Sequence, residues 1–459
     1  MRLAPWQKIL YALGSLGVAL SYQAFGTYLQ FLYIDILGLK AALVGVGWGV
    51  YGVWNAINDP LAGYWSDNTR TRWGRRRPWL AATFIPVGLF FYLLWVPPAP
   101  LLQGGETPLF VYFMAVVLIF DLLWTLAVMN WTALFPEMVP DAAERAAVSG
   151  WRQLFSVVGL LLGVALPPAL VGADWAGRGG MALAFGALTA LTLGLSLAGS
   201  RENPAVGQLR QPPLLEAIRA TLASGAFRWF ALANLAKEFI YSLLTASIPF
   251  WAKYVLRLQA PVSVAGLTLD VGLQNSLLLG TALIMSLPTL PLWAWLAQRR
   301  GGRRAWQLAQ VTFALGMALV FLATDFYQAL AAIAMVGLSF SGLLVLPDLL
   351  IADVIDEDQT VTGARREGLY FGINGFVIRF AFTLQGLTLG AVLAATGYVN
   401  ATAADLFPAQ PPAALLGLRF LVAGLPILIS LFVVWALQRY PLHGARLDRV
   451  RAQVAGPAE

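Results

Sequence analysis

The sequence predicts an all-α polytopic membrane protein in which about twelve transmembrane helices form two six-helix pseudo-repeats. Hydrophobic residues make up 59% of the 459-residue chain and charged residues only 12%, which is about half the charged fraction of a soluble domain. Apolar runs of about 20 residues, the length of a helix that crosses a bilayer, recur along the chain. A polar stretch near mid-chain separates these runs into two sets.

The apolar runs give the expected bounds of the spans. In the first half they lie at residues 7–34, 42–65, 79–96, 109–131, 150–170 and 180–197. In the second half they lie at residues 227–255, 271–296, 305–323, 327–351, 368–393 and 413–437. We therefore predict an N-terminal bundle at 1–199, a cytoplasmic linker at 200–226, a C-terminal bundle at 227–437 and a cytoplasmic tail at 438–459.

Arginines collect in alternate loops, and this placement predicts the orientation of the chain. One side holds Arg70, Arg72, Arg75, Arg76, Arg77, Arg145, Arg201, Arg210, Arg219, Arg299, Arg300, Arg303, Arg304, Arg365, Arg366, Arg439, Arg446, Arg449 and Arg451. The opposite loops hold only Lys40, Arg178, Lys253 and Arg257. Because loops rich in arginine stay in the cytoplasm, both termini are expected there, in the inner (plasma) membrane of a bacterium. The net charge of +7 is then explained by topology and not by a nucleic-acid partner.

The composition also excludes several kinds of chemistry. The chain has no cysteine, and its single histidine is His443 in the polar tail. Disulfides, thiolate ligands and histidine catalysis within the membrane are therefore excluded. We expect no enzymatic activity, no metal and no cofactor beyond a coupling proton or sodium ion, and a chain that functions as a monomer with a small-molecule substrate.

A short pattern recurs between the second and third spans of each half. The repeated positions are Gly74, Arg76, Arg77 and Trp79 in the first half and Gly301, Arg303, Arg304 and Trp306 in the second. The equal spacing supports two related six-helix halves. This is the repeat organisation of the major facilitator transporters, in which two bundles alternately expose a site at the midplane.

Longer motifs resemble one family within that superfamily. Residues 63–67 (GYWSD) lead into 67–79 (DNTRTRWGRRRPW), and this loop resembles that of the glycoside–pentoside–hexuronide:cation symporters. The motifs at 58–60, 136–145, 352–356, 366–372 and 440–444 fit the same family, so the resemblance covers nearly the whole chain. It implies the major facilitator fold and cation-coupled transport of a glycoside or related sugar.

Asp59 is the first candidate for binding the coupling cation. It lies one helical turn after Asn55, so both side chains point the same way. A carboxylate inside a span is a functional candidate by default, and a structural ion pair is the alternative. Asp121 in the fourth span is the second candidate. The resemblance implies two acids where this chain has Asn55 and Asp59, and the lost charge favours a proton over sodium.

Aromatic and charged residues in the spans are candidates for the substrate site. They are Tyr22, Trp124, Arg152, Arg379, Lys237 and Glu238. The resemblance places Arg152 and Arg379 at positions near the family's cation site, and for both a structural ion pair is an equal alternative. Lys237 and Glu238 are adjacent, so they point about 100° apart around the helix.

The substrate remains open between two classes. The resemblance implies acids on the first and fourth helices that hold sugar hydroxyl groups, and their positions fall at Ala19 and Val128. The missing acids and the extra cationic groups favour a lysophospholipid or another amphiphile as the alternative to a sugar. A membrane sensor that does not transport is a third possibility.

Charged cytoplasmic loops are candidates for a gate. The basic group contains Arg75, Arg76 and Arg77, and Asp67 lies in the same loop. Asp353 and Asp356 follow the tenth span on the same side of the membrane. We expect an ion-pair latch between such loops, with solvated loops that only set orientation as the alternative.

Overall fold

The computed structural model describes residues 4–139, 141–202, 219, 221–264, 267–363, 366–402 and 405–455. Most of the predicted linker lies outside these ranges, as do Arg210 and Arg365. In the first half, the long helices are α1 (Pro5–Phe31), α2 (Ala41–Asn68), α3 (Arg77–Trp95), α5 (Glu106–Met138), α6 (Ala142–Ala165) and α8 (Arg178–Gly199). A π-helical turn, Leu32–Ile36, follows α1, and the short helices are α4 (Ala99–Gln103) and α7 (Pro167–Val171).

The second half is also mainly helical in its described residues. Its helices are α9 (Gly225–Tyr254), α10 (Val271–Ser286), α11 (Leu290–Arg300), α12 (Gly302–Leu322), α13 (Phe326–Thr362), α14 (Glu367–Ala395), α15 (Pro412–Arg419), α16 (Leu425–Arg439) and α17 (Ala445–Ala455). A 3-10 turn joins α10 to α11, and a π-helical turn joins α15 to α16. Strands β1 (Val262–Val264) and β2 (Leu267–Leu269) form an antiparallel hairpin before α10.

The predicted spans fall on the long helices of the structure. Within the described ranges, 10 helical segments are long and apolar enough to cross a membrane. The long helices α2 and α9 are not among them, and they carry the polar residues Asn55, Asn58 and Asp59 and the charged residues Lys237 and Glu238. The all-helical fold class is confirmed.

Helix α13 extends well past the apolar run that predicts it. It has 37 residues, a length of about 55 Å, whereas the hydrocarbon core of a bilayer is about 30 Å thick. The apolar run ends at residue 351, and the remaining turns to Thr362 carry Asp353, Glu357 and Asp358. The acidic end of α13 is therefore expected outside the hydrocarbon.

The chain forms two compact units. The first contains Met1–Arg210, Leu258–Ser276 and Leu393–Pro411. The second contains Gln211–Arg257, Leu277–Val392 and Pro412–Glu459. Two loops of the second half in sequence, including the β-hairpin, thus belong to the first unit.

Glycines bring the backbones of neighbouring helices close together in the first unit. A Cβ atom on Gly159 or Gly163 of α6 would collide with the carbonyl oxygens of Leu16 and Leu20 on α1. Gly88 of α3 and Gly186 of α8 meet in the same way. Small residues at such crossings permit close packing of membrane helices. This packing fixes α1 against α6.

Candidate functional site

A buried polar cluster joins α2 to α5 around Asp121. The Asp121 carboxylate accepts hydrogen bonds from Tyr51 Oη at 3.0 Å and from Asn58 Nδ2 at 2.8 Å. Asn58 Nδ2 also lies 3.2 Å from Thr125 Oγ1. All four side chains are buried, and the buried Asn58 Oδ1 has no hydrogen-bond partner in the described part of the chain. The Asp121 carboxylate is thus hydrogen-bonded by neutral groups, and Asn58 Oδ1 is an acceptor without a donor among the described residues.

The two predicted cation-site residues of α2 lie beside this cluster. The Asn55 amide donates to the Tyr51 carbonyl oxygen at 3.2 Å. Asp59 is half-buried and follows Asn58 in the chain, so its side chain leaves the helix about 100° from that of Asn58. The structure places Asn58, rather than Asp59, in hydrogen-bond contact with Asp121. Coupling through Asp59 stays a prediction.

A cavity of about 440 Å³ lies between α1, α5 and α6 of the first unit. Six of its nine lining residues carry polar or charged side chains, and the full lining comprises Ser15, Val18, Val128, Trp131, Thr132, Ser149, Arg152, Gln153 and Ser156. Hydroxyl, amide and guanidinium groups of this kind supply both donors and acceptors to a ligand. The volume lies in the usual range of small-molecule sites, roughly 300–1,000 Å³.

Aromatic rings surround the Arg152 guanidinium at this cavity. Its Cζ atom lies 4.6 Å from the Trp131 ring centroid, 4.7 Å from that of Phe135 and 5.9 Å from that of Tyr11. Tyr11 and Trp131 exchange hydrogen bonds between side chain and backbone, which holds both rings in place. Cation–π contacts offset part of the cost of burying the charge. Arg152 Nε is buried without a hydrogen-bond partner among the described residues, so this donor is available to a ligand.

One face of α5 connects the Asp121 cluster to the cavity. Asp121, Thr125, Val128 and Thr132 follow at intervals of three or four residues, so they lie along one side of the helix. Asp121 and Val128 are seven residues apart in sequence, a distance of about 10 Å along the axis. The cation candidate and the cavity are therefore close enough for one rearrangement of α5 to affect both.

Tyr22 and Trp124, two of the substrate-site candidates, lie in direct contact. Their rings stack with centroids 5.0 Å apart. Trp124 lies on α5 between Asp121 and Val128, and its buried indole Nε1 has no hydrogen-bond partner within the described ranges. Each ring can pack against the apolar face of a ligand or serve only to pack α1 on α5.

The resemblance implies a sugar-binding acid at two positions where this chain has Val128 and Ala19, and the surroundings of these two residues differ. Val128 lines the cavity, so an apolar side chain stands where the resemblance implies an acid. Ala19 lies at the contact of α1 with Gly159 of α6. This position is a close helix crossing, and a larger side chain there would have to displace α6.

Comparison with known proteins assigns the chain to a family. A family model described as "MFS/sugar transport protein" matches residues 10–444. The chain belongs to this family of major facilitator transporters. The isoprimeverose transporter of Lactiplantibacillus pentosus is 24% identical, with 86% of this chain and 82% of the relative aligned. The sodium-dependent lysophosphatidylcholine symporter 1-A of Danio rerio is 22% identical, with 97% and 87% aligned.

Solved structures agree with the fold of the transporter. The crystal structure of the nucleoside transporter NupG superimposes with a TM-score of 0.67 at 12% sequence identity. The superposition covers 95% of this chain and all of that structure (100%). The major facilitator fold predicted from the repeat and the motifs is therefore confirmed.

The second unit of the transporter holds the remaining substrate-site candidates. Lys237 Nζ contacts Glu238 Oε1 at 2.5 Å, so the two adjacent residues of α9 form an ion pair despite leaving the helix in different directions. Their long side chains bend towards each other, which position on the helix alone did not predict. Arg379 lies on α14 in the same unit, and a role for it in the substrate site stays a prediction.

The arginine block of the transporter is bound by two acids. Arg75 Nη2 and Arg76 Nε contact Glu137 Oε1 at 2.8 and 2.9 Å. Glu202 accepts the backbone N–H groups of Arg75, Arg76 and Arg77 at 2.8, 3.0 and 3.4 Å. Asp67 lies 3.8 Å from Arg75 and 3.9 Å from Arg76 and is largely exposed. Glu137 and Glu202 therefore connect the start of α3 to the ends of α5 and α8.

Asp353, expected in a latch, and its neighbour Glu357 pair with arginines of their own unit. Asp353 contacts Arg451 at 2.9 Å, and Glu357 contacts Arg446 at 2.6 Å. Both arginines belong to α17, so these pairs fasten α17 to the C-terminal end of α13. Asp356 lies on the same end of α13. The gating role of Asp67, the arginine block, Asp353 and Asp356 stays a prediction.

Several functional candidates were missed by sequence reasoning. They are Tyr51, Asn58, Glu137, Glu202 and Asp348. Asn58 sits in a motif that drew attention to its neighbour Asp59. Asp348 is a carboxylate inside an apolar run (LVLPDLLIA), and the rule that made Asp121 a candidate applied to it equally.

Proposed function

We propose that this transporter is a secondary active symporter that moves a glycoside or related sugar together with a proton. The observation that carries the proposal is the polar cavity between α1, α5 and α6, with Arg152 at its wall. The transporter is expected in the inner membrane of a bacterium, as a monomer with both termini in the cytoplasm.

The cavity lining supports a sugar as the substrate. Ser15, Thr132, Ser149 and Ser156 offer hydroxyl groups that both donate and accept hydrogen bonds, as do the hydroxyl groups of a sugar. Trp131 lines the same cavity, and an aromatic ring packs on the apolar face of a sugar ring. The isoprimeverose transporter, a relative over most of this chain, is named for a sugar substrate.

The Asp121 cluster supports a proton as the coupling ion. In the ionised state, both carboxylate oxygens accept hydrogen bonds, from Tyr51 and from the Asn58 amide nitrogen. A protonated carboxyl group needs an acceptor nearby. The Asn58 side-chain oxygen, buried and without a partner in the described ranges, supplies one if the amide rotates by about 180°. The cluster thus accommodates both protonation states without a change of backbone.

An amphiphile with a phosphate group is the second candidate substrate. The observation in its favour is Val128, an apolar residue in the cavity where the resemblance implies a sugar-gripping acid. Arg152 offers a planar fork that matches phosphate oxygens. The lysophosphatidylcholine symporter named above is a relative over nearly the whole chain.

Transport currents from purified protein on a solid-supported membrane test both candidates. Neutral glycosides and a lysophospholipid are applied in turn at varied pH and sodium concentration. The variants are Asp121→Asn, Asp59→Asn and Arg152→Lys, and the control is Asp325→Asn. Asp325 caps α13 by accepting the Gln328 N–H at 3.0 Å, and asparagine is an equally good cap.

The expected result is a glycoside current that grows as the outside pH falls and is lost in Asp121→Asn. Arg152→Lys should lower the apparent affinity about tenfold or more, because lysine keeps the charge but not the fork. The control should behave like the wild type. A current with the lysophospholipid alone would overturn the sugar assignment. A current that depends on sodium and not on pH would overturn the assignment of a proton as the coupling ion.

A further inference from the structure

Three arginines at one end of the second unit lie outside the substrate and coupling sites. Arg303 and Arg304 begin α12, and Arg439 ends α16. Within the described ranges, this arginine group has no carboxylate at ion-pair distance, and Arg303 makes one hydrogen bond, from Nη1 to the Gln438 carbonyl oxygen at 3.4 Å. Because a guanidinium group carries several N–H donors, most of the donors in the arginine group are available to an anion.

Two contacts place the start of α12 beside the end of α16. One turn after the Arg303 contact, Gln307 Nε2 donates to the Val434 carbonyl oxygen at 3.3 Å. Four residues forward on α12 thus match four residues back on α16, so the helices are antiparallel. In an antiparallel pair, the residue that follows each contact residue turns towards the same side of the pair. Arg304 and Arg439 therefore lie on one side of the two helices.

The same side of the helix pair is apolar beyond the arginines. Exposed apolar side chains share a helix face with Arg304 on α12 and with Arg439 on α16, because they lie at helical spacing from these residues. They are Leu308, Val311 and Leu315 on α12, and Leu428, Leu431, Phe432 and Trp435 on α16. A phospholipid has the matching form, since its acyl chains are apolar and its phosphate is charged.

Two tryptophans lie against the Arg439 guanidinium. Its Cζ atom is 4.0 Å from the Trp435 ring centroid and 5.9 Å from that of Trp229 on α9. The two rings meet edge to face, with centroids 5.6 Å apart. Cation–π contacts of this kind hold the charge in position. Tryptophan is enriched where membrane helices reach the lipid headgroups, so this end of α16 is expected at the level of the phosphates.

The corresponding place in the first unit is taken by a carboxylate. Glu202 follows α8 and accepts the N–H groups of residues 75–77 at the start of α3. The repeated motif aligns these residues with 302–304, where no side chain caps α12 and the same N–H groups have no acceptor in the described part of the chain. Residues 440–447, which follow α16, contain no acid. A phosphate can therefore take the place that Glu202 has in the first unit.

We propose that the arginine group binds the phosphate of an anionic phospholipid, whose acyl chains lie along the apolar side of α12 and α16. The placement of arginines predicts that this end of the helices is cytoplasmic, and the cytoplasmic leaflet is rich in anionic lipid. The site lies in the second unit and is independent of the proposed substrate and coupling ion.

Thermal unfolding of delipidated protein in an uncharged detergent measures lipid binding without transport. Phosphatidylglycerol should raise the unfolding midpoint, because a ligand that binds the folded state stabilises it. Phosphatidylcholine has no net charge and glycerol phosphate has no acyl chains, so both should act much more weakly. Arg303→Gln and Arg439→Gln should each raise the phosphatidylglycerol concentration for half of the shift about fivefold or more.

Arg299→Gln is the matched control. Arg299 also lies over a tryptophan, with its Cζ atom 4.7 Å from the Trp295 centroid, but it ends α11 and is outside the α12–α16 pair. This variant should respond to phosphatidylglycerol like the wild type. His443→Glu is a second test, because His443 is exposed and the charges of Arg303 and Arg304 lower its pKa. A glutamate there should raise the midpoint without lipid and weaken the response to lipid.

Four outcomes would overturn the site. Equal losses in Arg299→Gln and Arg303→Gln would show diffuse attraction by surface charge, and a wild type that ignores phosphatidylglycerol would show no binding. Equal responses to phosphatidylcholine or to glycerol phosphate would remove the anionic headgroup or the lipid from the assignment. A response that is lost in Arg152→Lys but kept in Arg303→Gln would place the lipid in the substrate cavity. Elution of each variant as a single species checks that it is folded.

Discussion

The loop between α2 and α3 and the loop between α11 and α12 share a glycine and a pair of arginines but differ in their acids. Gly74 and Gly301 both have positive φ, at 98° and 82°. In the first loop, Glu137 and Glu202 neutralise the arginines and bind the backbone N–H groups. In the second, Arg303 donates only to the carbonyl oxygen of Gln438, at 3.4 Å. Within the described ranges, no carboxylate lies at ion-pair distance from Arg303 or Arg304.

The acids of the second half are used elsewhere. Glu357 and Asp353 on α13 contact arginines of α17. The same short motif is thus held by ion pairs and hydrogen bonds to two glutamates in the first unit. In the second unit it forms a basic patch that has no carboxylate at ion-pair distance among the described residues. A repeated sequence pattern predicts a repeated backbone turn, but its electrostatic role depends on acids that lie far away in the chain.

The largest difference between the two units should appear when an acid that binds arginines is removed from each. Glu137 is buried between Arg75 and Arg76, so Glu137→Gln leaves two poorly exposed guanidinium groups without their carboxylate. We expect a loss of about 3 kcal/mol in the free energy of unfolding. Glu357→Gln breaks a pair whose arginine is half exposed and should cost about 1 kcal/mol or less. Thermal unfolding in detergent measures both, and equal shifts would contradict the comparison.

The glycines provide a second matched pair. A Cβ atom at Gly74 would collide with the Glu202 carboxylate, whereas at Gly301 nothing lies within 4 Å. Glu202 cannot move away without losing its bonds to the start of α3. Gly74→Ala should therefore cost about 2–3 kcal/mol, and Gly301→Ala about 1 kcal/mol from its positive φ alone. The midpoints of thermal unfolding should fall in that order, and a larger shift for Gly301→Ala would refute the explanation.

Neutralising an arginine should lower the stability in the first loop and leave it almost unchanged in the second. Arg76→Gln removes a contact to Glu137 at 2.9 Å and should destabilise by about 1–2 kcal/mol. Arg303→Gln removes a charge that has Arg304 nearby, so the change should lie within about 0.5 kcal/mol of zero. Unfolding midpoints of the two variants test this. A large loss in Arg303→Gln would reveal an acidic partner for the basic patch.

The smallest expected effect is electrostatic and is reported by His443. Partial burial and the guanidinium groups of Arg303 and Arg304 lower the pKa of His443 from its usual value of 6.5. Arg303→Gln should raise that pKa towards 6.5. Because the chain has a single histidine, NMR of histidine-labelled protein gives one titration curve. An unchanged midpoint would show that the patch does not act on His443.

The same group gives the sign of a pH effect on stability. Since the pKa of His443 is lower in the folded state than in the unfolded state, the folded protein binds the proton less well. The contribution of His443 to the free energy of unfolding is therefore fully present above about pH 6.5. It is lost as the pH falls through the pKa of His443 in the folded state. Arg303→Gln should shrink this loss.

The sequence predicted the helices much better than the contacts between them. Spans follow from composition, because a bilayer imposes the length of each apolar run. Tyr22 and Trp124 were each expected near a substrate, but their direct ring stacking was not predicted. The partner of Asp121 was not predicted, because the distance in sequence from Asn58 to Asp121 carries no information about rotation of α2. Glu137 and Glu202 were missed for the same reason: their partner is a loop that precedes both in the chain.

The glycine crossings between α1 and α6 carry an evolutionary consequence. At Gly159 and Gly163, every other amino acid would push a side chain into the backbone of α1. At Gly150, near the start of the same helix, nothing lies within 4 Å, so substitution there costs only what the helix itself requires. Among natural variants of this transporter, position 150 of α6 should therefore tolerate many substitutions, whereas positions 159 and 163 should tolerate almost none.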